Sequence, residues 1–338
     1  MSEALLQVGL IGAGRIGRLH AQHLARRLPR ARLVAVADVV LEAARACAAE
    51  NSVPTAVDDY RSFLDHVDAV AVCSATDTHA RILEEAAAAG KHIFCEKPID
   101  LSLERTDSAL AAVRAAGVKL QIGFNRRFDA NYRRVRTAIT RGEVGTPWRL
   151  HIVSRDPSPP PAEYIRASGG LFVDMTIHDF DMARYLIGAE IDEVFASSGV
   201  LVDPAIGDLG DVDTAVIVLR FASGVIGTID NSRQAVYGYD QRAEVLGSGG
   251  MVATTNNYES TALISDRTSV HRDLPLNFFM QRYTQSYLDE MSAFVDCVLD
   301  GVAPPVTGDD GRAALLLGLA AQRSARENRP VRVAEVSE

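Results

Sequence analysis

Leu5-Leu6-Gln7-Val8-Gly9-Leu10-Ile11-Gly12-Ala13-Gly14-Arg15-Ile16-Gly17 decides the fold of this chain. Residues 5–12 form a short apolar run ending in glycine, the pattern of a strand buried on both faces. An Ala-, Arg- and Leu-rich segment continues to Leu28, where Pro29 stops it, so the spacing predicts a helix directly after the glycines. Strand, G-x-G-x-x-G and helix in that order make a dinucleotide-binding turn. Gly12 permits the tight turn, Gly14 lets backbone approach a pyrophosphate, and Gly17 lets the helix pack on the strand. The helix start adds unpaired N–H groups and the positive end of its dipole.

The following strand, Arg32–Ala37, ends in Asp38, about twenty residues beyond the last glycine. A carboxylate there accepts hydrogen bonds from ribose hydroxyls and repels a 2′-phosphate, and Val39 and Val40 offer no cation to hold one. NAD is therefore expected rather than NADP. The competing reading is that Asp38 merely caps the next helix.

Strand and helix patterns then alternate. A short helix is expected over Asp59–His66, a strand over Asp68–Cys73, a polar turn over Ser74–His79, and a helix over Ala80–Ala89 closed by Gly90. A strand from His92 leads into Glu96-Lys97-Pro98, and a sixth strand follows over Val118–Phe124. The expected fold class is α/β, with an N-terminal Rossmann doubly wound parallel sheet. Strand carboxyl ends carry the chemistry of such sheets. The candidate cofactor contacts are Gly12, Gly14, Arg15, Ile16, Asp38, Ser74, Thr76, His79 and Glu96.

Beyond Phe124 the pattern changes to an α+β domain with a large, mostly antiparallel open sheet, so the expected domains are 1–124 and 125–338. Thr214–Phe221 and Val225–Ser232 alternate about Ala222-Ser223-Gly224, and Gln241–Leu246 and Met251–Thr255 flank Gly247–Gly250, two hairpin signals. Arg155–Pro161 reads as a rigid, proline-rich loop, and residues 203–211 as a mobile one. The run from Gly169 to Gly188 is helical in period, which puts Asp174 and His178 four apart on one face. A carboxylate beside an imidazole suits a general base. Lys97, at a strand's carboxyl end, and His178 are the candidate proton-handling groups, and either can be the base, with the proton shared between them. No second histidine or cysteine stands at ligand spacing near Asp174, His178 and Asp181, so no metal is expected.

With 35 Lys and Arg against 44 Asp and Glu, the net charge is −9. That balance argues against nucleic acid, whose phosphates need a basic face. No apolar run approaches the roughly eighteen residues of a membrane helix, so no membrane partner is expected. The N-terminus lacks the basic start and cleavage site of a signal peptide. The four cysteines form no C-x-x-C pair, which suits free thiols in a reducing compartment. A cytoplasmic location is expected.

The glycine fingerprint, Glu96-Lys97-Pro98, and Gly169-Gly170 followed by Asp174-x-x-x-His178-x-x-Asp181 resemble, in that order, the glucose–fructose oxidoreductase / inositol dehydrogenase / rhizopine catabolism family. The resemblance covers essentially the whole chain. Ser154–Pro157, Pro161–Tyr164 and Tyr237–Asp240 look most like inositol 2-dehydrogenases and their polyol and aldose relatives. It implies a homotetramer, a catalytic group of Lys97, Asp174 and His178, a cis Lys97–Pro98 peptide, and substrate contacts from Arg127, Asp156 and Tyr237. The implied activity is oxidation by NAD of a secondary hydroxyl of a cyclic polyol (myo- or scyllo-inositol) to the inosose. Alternatives are an aldose 1-dehydrogenase, an NAD-dependent glycosidase of the same fold, and a non-catalytic NAD-binding sugar sensor. Ser154 and Asp156 stand where some myo-inositol enzymes carry histidine and asparagine, which leaves the stereoisomer open.

Overall fold

The computed structural model describes residues 5–337. The expectation of no leader rests partly on Met1–Ala4, which lie outside them. The chain divides into two compact units. One runs through Asn125 and also takes Gln285–Ala313, and the other takes Arg126–Thr284 and the residues from Ala314 onward. The expected division at residue 124 thus differs by one segment, 285–313, which belongs with the first unit.

In the first unit, strands β1 (Leu6–Ile11), β2 (Ala31–Ala37), β3 (Thr55–Val57), β4 (Ala69–Val72), β5 (His92–Glu96) and β6 (Leu120–Gly123) alternate with helices α1 (Arg15–Arg26), α2 (Leu41–Glu50), α3 (Thr76–Ala88) and α4 (Leu103–Ala116). The strands lie in the order β3-β2-β1-β4-β5-β6 and every pairing is parallel. The order reverses between β1 and β4, so their carboxyl ends flank the crevice where such sheets bind ligands. The strands are mostly apolar because helices cover both faces; Val8, Val36, Ala71 and Phe94 are all fully buried.

The second unit opens with α5 (Ala130–Thr140), whose first turn is capped by the Asp129 carboxylate accepting from the Asn131 and Tyr132 N–H groups. Strand β7 (Pro147–Arg155) leads through the proline loop to α6 (Ala162–Ser168), α7 (Gly170–Asp174) and α8 (Ile177–Ile187). Then come β8 (Ile191–Gly199), α9 (Pro204–Asp208), β9 (Thr214–Phe221), β10 (Ile226–Ser232), β11 (Asp240–Gly247), β12 (Gly250–Ala253), the small pair β13 (Ile264–Ser265) and β14 (Val270–His271), and α10 (Phe279–Arg282). Helix α11 (Thr284–Leu299) carries the chain back to the first unit, where Met291, Phe294 and Val295 pack into the core around Phe94. Helix α12 (Gly308–Glu327), β15 (Val331–Arg332) and α13 (Ala334–Ser337) complete the chain.

The large sheet runs β12-β11-β7-β10-β9-β8-β15, antiparallel except for β10 with β7. Both expected hairpins form, β9 with β10 and β11 with β12. Alternation along β9 buries Ala215, Ile217, Leu219 and Phe221 and exposes Val216, Val218 and Arg220.

Two expectations are corrected. Residues 203–211 are not a mobile loop: they hold α9, with Ile206 buried, and the Asp213 carboxylate accepts N–H groups from Leu201, Val202 and Asp203 just before it. The helix expected from Gly169 to Gly188 is also broken. Gly169 and Gly170 both take positive φ, and Met175 and Thr176 both donate N–H to the Leu171 carbonyl before α8 restarts. The Thr176 hydroxyl donates to the Asn231 side chain in β10, so a tertiary anchor interrupts the local period. Asp174 therefore ends one helix and His178 sits in the first turn of the next. Sequence spacing alone no longer places them on one face.

Candidate active site

The three glycines of the first turn are required for three different reasons. Gly12 has φ +98°, and a Cβ there would lie 2.5 Å from Cys73 and Ser74 backbone. At Gly17 a Cβ would meet the Gly12 carbonyl, so only glycine lets α1 lie on the turn. Gly14 is exposed and has ordinary φ, and apart from its own neighbours in the chain no atom of the described residues lies within 4 Å of a Cβ built on it. Nothing in the described fold forbids a side chain there, and a pyrophosphate seated on the helix start would. Arg15 is exposed and Ile16 half-buried in the same turn. The arrangement fits a dinucleotide.

Asp38 closes the adenosine side. Its Oδ2 accepts the Ala13 N–H at 2.7 Å and its Oδ1 the Val40 N–H at 2.9 Å. The cap position of α2 is Val40, with no side-chain cap, so Asp38 faces the glycine turn rather than capping that helix. Val39 and Val40 are exposed beside it.

At the end of β4, the Ser74 hydroxyl pairs with Thr78 Oγ1 at 2.7 Å, and Thr76 opens α3. His79, expected among the cofactor contacts, is buried. Its Nδ1 lies 2.8 Å from the Pro98 carbonyl and its Nε2 3.0 Å from the Ser74 carbonyl. In either neutral tautomer one of these is a donation, and in the cation both are. Burial draws this imidazole below its ordinary range. His79 braces the β4 end to the turn after β5, and its ring nitrogens have no face left for a ligand. That turn holds the cis Lys97–Pro98 peptide. Lys97 is half-buried, and the Glu96 carboxylate lies over Gly123, where even a Cβ would come within 3.0 Å of it.

In the second unit Asp174 is buried. Its Oδ1 accepts from the Tyr164 hydroxyl at 2.7 Å and its Oδ2 from Arg233 at 3.0 Å. Burial raises the Tyr164 hydroxyl well above its usual range, and the Asp174 charge adds to that. Arg233, 1% exposed, stands at the end of β10 and fixes the carboxylate. His178 is half-buried one turn into α8. Asp156 follows β7; burial pushes its carboxyl up to about 7, with Asp174 adding and Arg233 opposing.

Behind these residues lies a buried polar layer that sequence reasoning missed. Arg126 donates to Asp179 at 2.6 Å, Asn231 donates to the same carboxylate, and Ser154 donates to Gln241. A buried pair of this kind is costly to break, about 3–5 kcal/mol when one partner is removed. Arg127 forks onto Asp181, with Nε 2.9 Å from Oδ2 and Nη2 2.6 Å from Oδ1. Tyr237 donates to Asp240 at 2.7 Å and accepts from Arg155 at 3.0 Å. Of the expected substrate contacts, Arg127 and Tyr237 are thus each held by an internal partner. The layer left little signal in sequence: its charged members, Arg126 and Asp179, lie outside the strands, and Ser154, Asn231 and Gln241 are isolated polar residues of strands β7, β10 and β11.

The glycine turn and the strand-end lysine fit a dinucleotide-dependent oxidoreductase. Residues 6–124 match the oxidoreductase family with NAD-binding Rossmann fold, and residues 132–253 match the GFO/IDH/MocA C-terminal domain. The chain belongs to the GFO/IDH/MocA oxidoreductase family, as its sequence led us to expect. It is 49% identical to a myo-inositol 2-dehydrogenase of Thermotoga maritima over 98% of this chain and 99% of that one. It is 47% identical to an inositol 2-dehydrogenase of Rhizobium meliloti, over 97% and 99%. Among solved structures it is similar, with a TM-score of 0.92 and 29% identity over 98% of this chain and 99% of that one, to scyllo-inositol dehydrogenase from Lactobacillus casei with bound NAD(H) and scyllo-inositol. The chain is an NAD-dependent enzyme.

Proposed function

We propose that this enzyme oxidises a ring hydroxyl of an inositol to the ketone, with NAD as hydride acceptor. The observation that carries the reading is the nearly full-length likeness to inositol 2-dehydrogenases, both domains included. The glycine turn would hold NAD, which would supply the hydride acceptor. The chain's own residues must manage the proton, because an unassisted alcohol is a poor acid. Lys97 offers the cation that favours the alkoxide. His178 takes the proton, and Asp174, immobilised by Arg233 and Tyr164, supplies the fixed negative charge that favours its protonated form. Asp156 is the candidate hydroxyl acceptor. Arg127 and Tyr237 would reach a substrate hydroxyl by exchanging part of their bonding to Asp181 and Asp240.

The assembly we propose is a homotetramer built through the open face of the large sheet, in the cytoplasm. Val216, Val218 and Ile226 are exposed on adjacent strands of that face, and Leu246 stands opposite Arg149 in the same sheet. Contiguous exposed apolar side chains on a sheet mark a covered surface. The four free thiols suit a reducing compartment. Among the described residues no helix is long and apolar enough to cross a membrane.

The test is NADH formation with myo-inositol, scyllo-inositol and glucose under one set of conditions. An inositol should give the highest kcat/KM. Reduction with glucose alone would move the enzyme to the aldose dehydrogenases, and silence with every polyol would favour a sensor. Light scattering of the purified protein should give four times the protomer mass, and Val218→Glu should lower it.

A further inference from the structure

Glu290, on α11, is wholly buried, and neither carboxyl oxygen has a hydrogen-bond partner among the described residues. A carboxylate in that position is costly enough to call for an explanation. Its neighbours come from the two functional ends of the first unit. His20 stands on α1, the helix that begins at the glycine turn, and Glu96 precedes Lys97. His20 Nε2 lies 2.9 Å from Glu96 Oε1 and 3.8 Å from Glu290 Oε1, and one potential ligand atom from each of the three lies within 4.8 Å of the other two. The imidazole is edge-packed by Phe94 and Tyr287, and its Nδ1 has no partner.

Two carboxyl groups this close, one wholly buried and the other largely so, are strongly disfavoured as a doubly ionised pair, because one imidazole offsets at most one of the charges. We propose that Glu290 is a positioning residue that stays a neutral acid and supplies the proton holding Glu96 against His20, next to Lys97. A small rotation of the Glu290 carboxyl turns a repulsive pair into a donor and an acceptor. The network then ties the helix behind the cofactor turn to the strand end that carries the lysine. Ionising Glu290 would set two buried negative charges against each other and loosen both attachments.

The other titratable groups around the network give Glu290 no compensating cation. Burial raises the Cys73 and Cys95 thiols, so both are neutral. Burial, with help from His20, lowers His23 to about 4. Burial lowers His79 as well, and Tyr287 contributes a neutral ring. Burial likewise pushes the Glu290 carboxyl well above the usual range, and the Glu96 charge pushes it further.

The test uses the intact enzyme, Glu290→Gln and Glu290→Leu. Difference infrared spectra between wild type and Glu290→Gln at neutral pH should show the carbonyl band of a protonated carboxylic acid. NADH titrations followed by fluorescence should weaken in the wild type by about fivefold or more on the alkaline side, as expected when a proton and a ligand are coupled. The fall should be absent in Glu290→Gln, and Glu290→Leu should bind NADH more weakly at every pH. A missing acid band, superimposable pH profiles for wild type and Glu290→Gln, or a stoichiometric divalent metal bound at these three residues would overturn the assignment. Neither readout uses a polyol, so its failure is distinct from failure of the inositol reading.

Discussion

The Asp38 carboxylate accepts the Ala13 N–H at 2.7 Å, joining the end of β2 to the glycine turn. One side chain thus orders that turn and, in the proposed NAD complex, would face the ribose. Removing a charged hydrogen-bond partner of this kind is worth about 1.5–3 kcal/mol. Asp38→Ala should therefore raise the KM for NAD by about tenfold to a hundredfold. Steady-state kinetics with NAD varied at saturating polyol checks this, and an unchanged KM would remove Asp38 from the cofactor site.

Gly14 and Gly17 should part company. No protein atom opposes a methyl at Gly14, so Gly14→Ala should melt near the wild-type temperature and bind NADH poorly. At Gly17 the Gly12 carbonyl occupies the space, so Gly17→Ala should unfold more easily with or without cofactor. Thermal melts with and without NADH separate the two outcomes.

His79 should matter more to the fold than to cofactor contact. Replacing it with Phe removes the one N–H that the neutral ring donates to the Ser74 or Pro98 carbonyl, at about 1–3 kcal/mol. Denaturant unfolding of His79→Phe should show that loss, whereas NADH affinity should change less than in Asp38→Ala. A variant of full stability that no longer binds NADH would return His79 to the cofactor contacts.

Asp156 should impose a pH dependence. Its carboxyl titrates near pH 7 in the folded protein and near pH 4 unfolded, so both states are protonated in acid. As the pH rises from about 4 to 7, the unfolded state ionises first and the wild type loses stability. Asp156→Asn lacks that loss and should gain on the wild type over the same window, by up to the order of 4 kcal/mol above pH 7. If the carboxylate receives a substrate hydroxyl, wild-type kcat/KM should climb through pH 7 and the variant's should not.

The nucleotide-binding half was legible because each element announces itself locally. Buried parallel strands read as apolar runs, and the glycines stand at a fixed local spacing between a strand and a helix. The hairpins of the second sheet were legible for the same reason. What escaped depends on partners remote in sequence. Thr176 breaks its helix by bonding to Asn231, Arg233 reaches back to Asp174, and Glu290 returns to His20 and Glu96. His79 looked like a polar turn residue, and only the Pro98 carbonyl, 19 residues on, shows why an imidazole is needed. Spacing suggested Asp174 with His178 and a strand end suggested Lys97, and the resemblance to a known family joined the three as one expected catalytic group.

The most direct measurement follows the hydrogen itself. Inositol deuterated at its ring carbons should be incubated with the enzyme and unlabelled NAD, and the reduced cofactor analysed by mass spectrometry. One deuterium should appear in the reduced nicotinamide of the wild-type product, and Lys97→Met should form almost none while still binding NADH. Reduced cofactor without deuterium, or a Lys97→Met enzyme that turns over normally, would contradict the account.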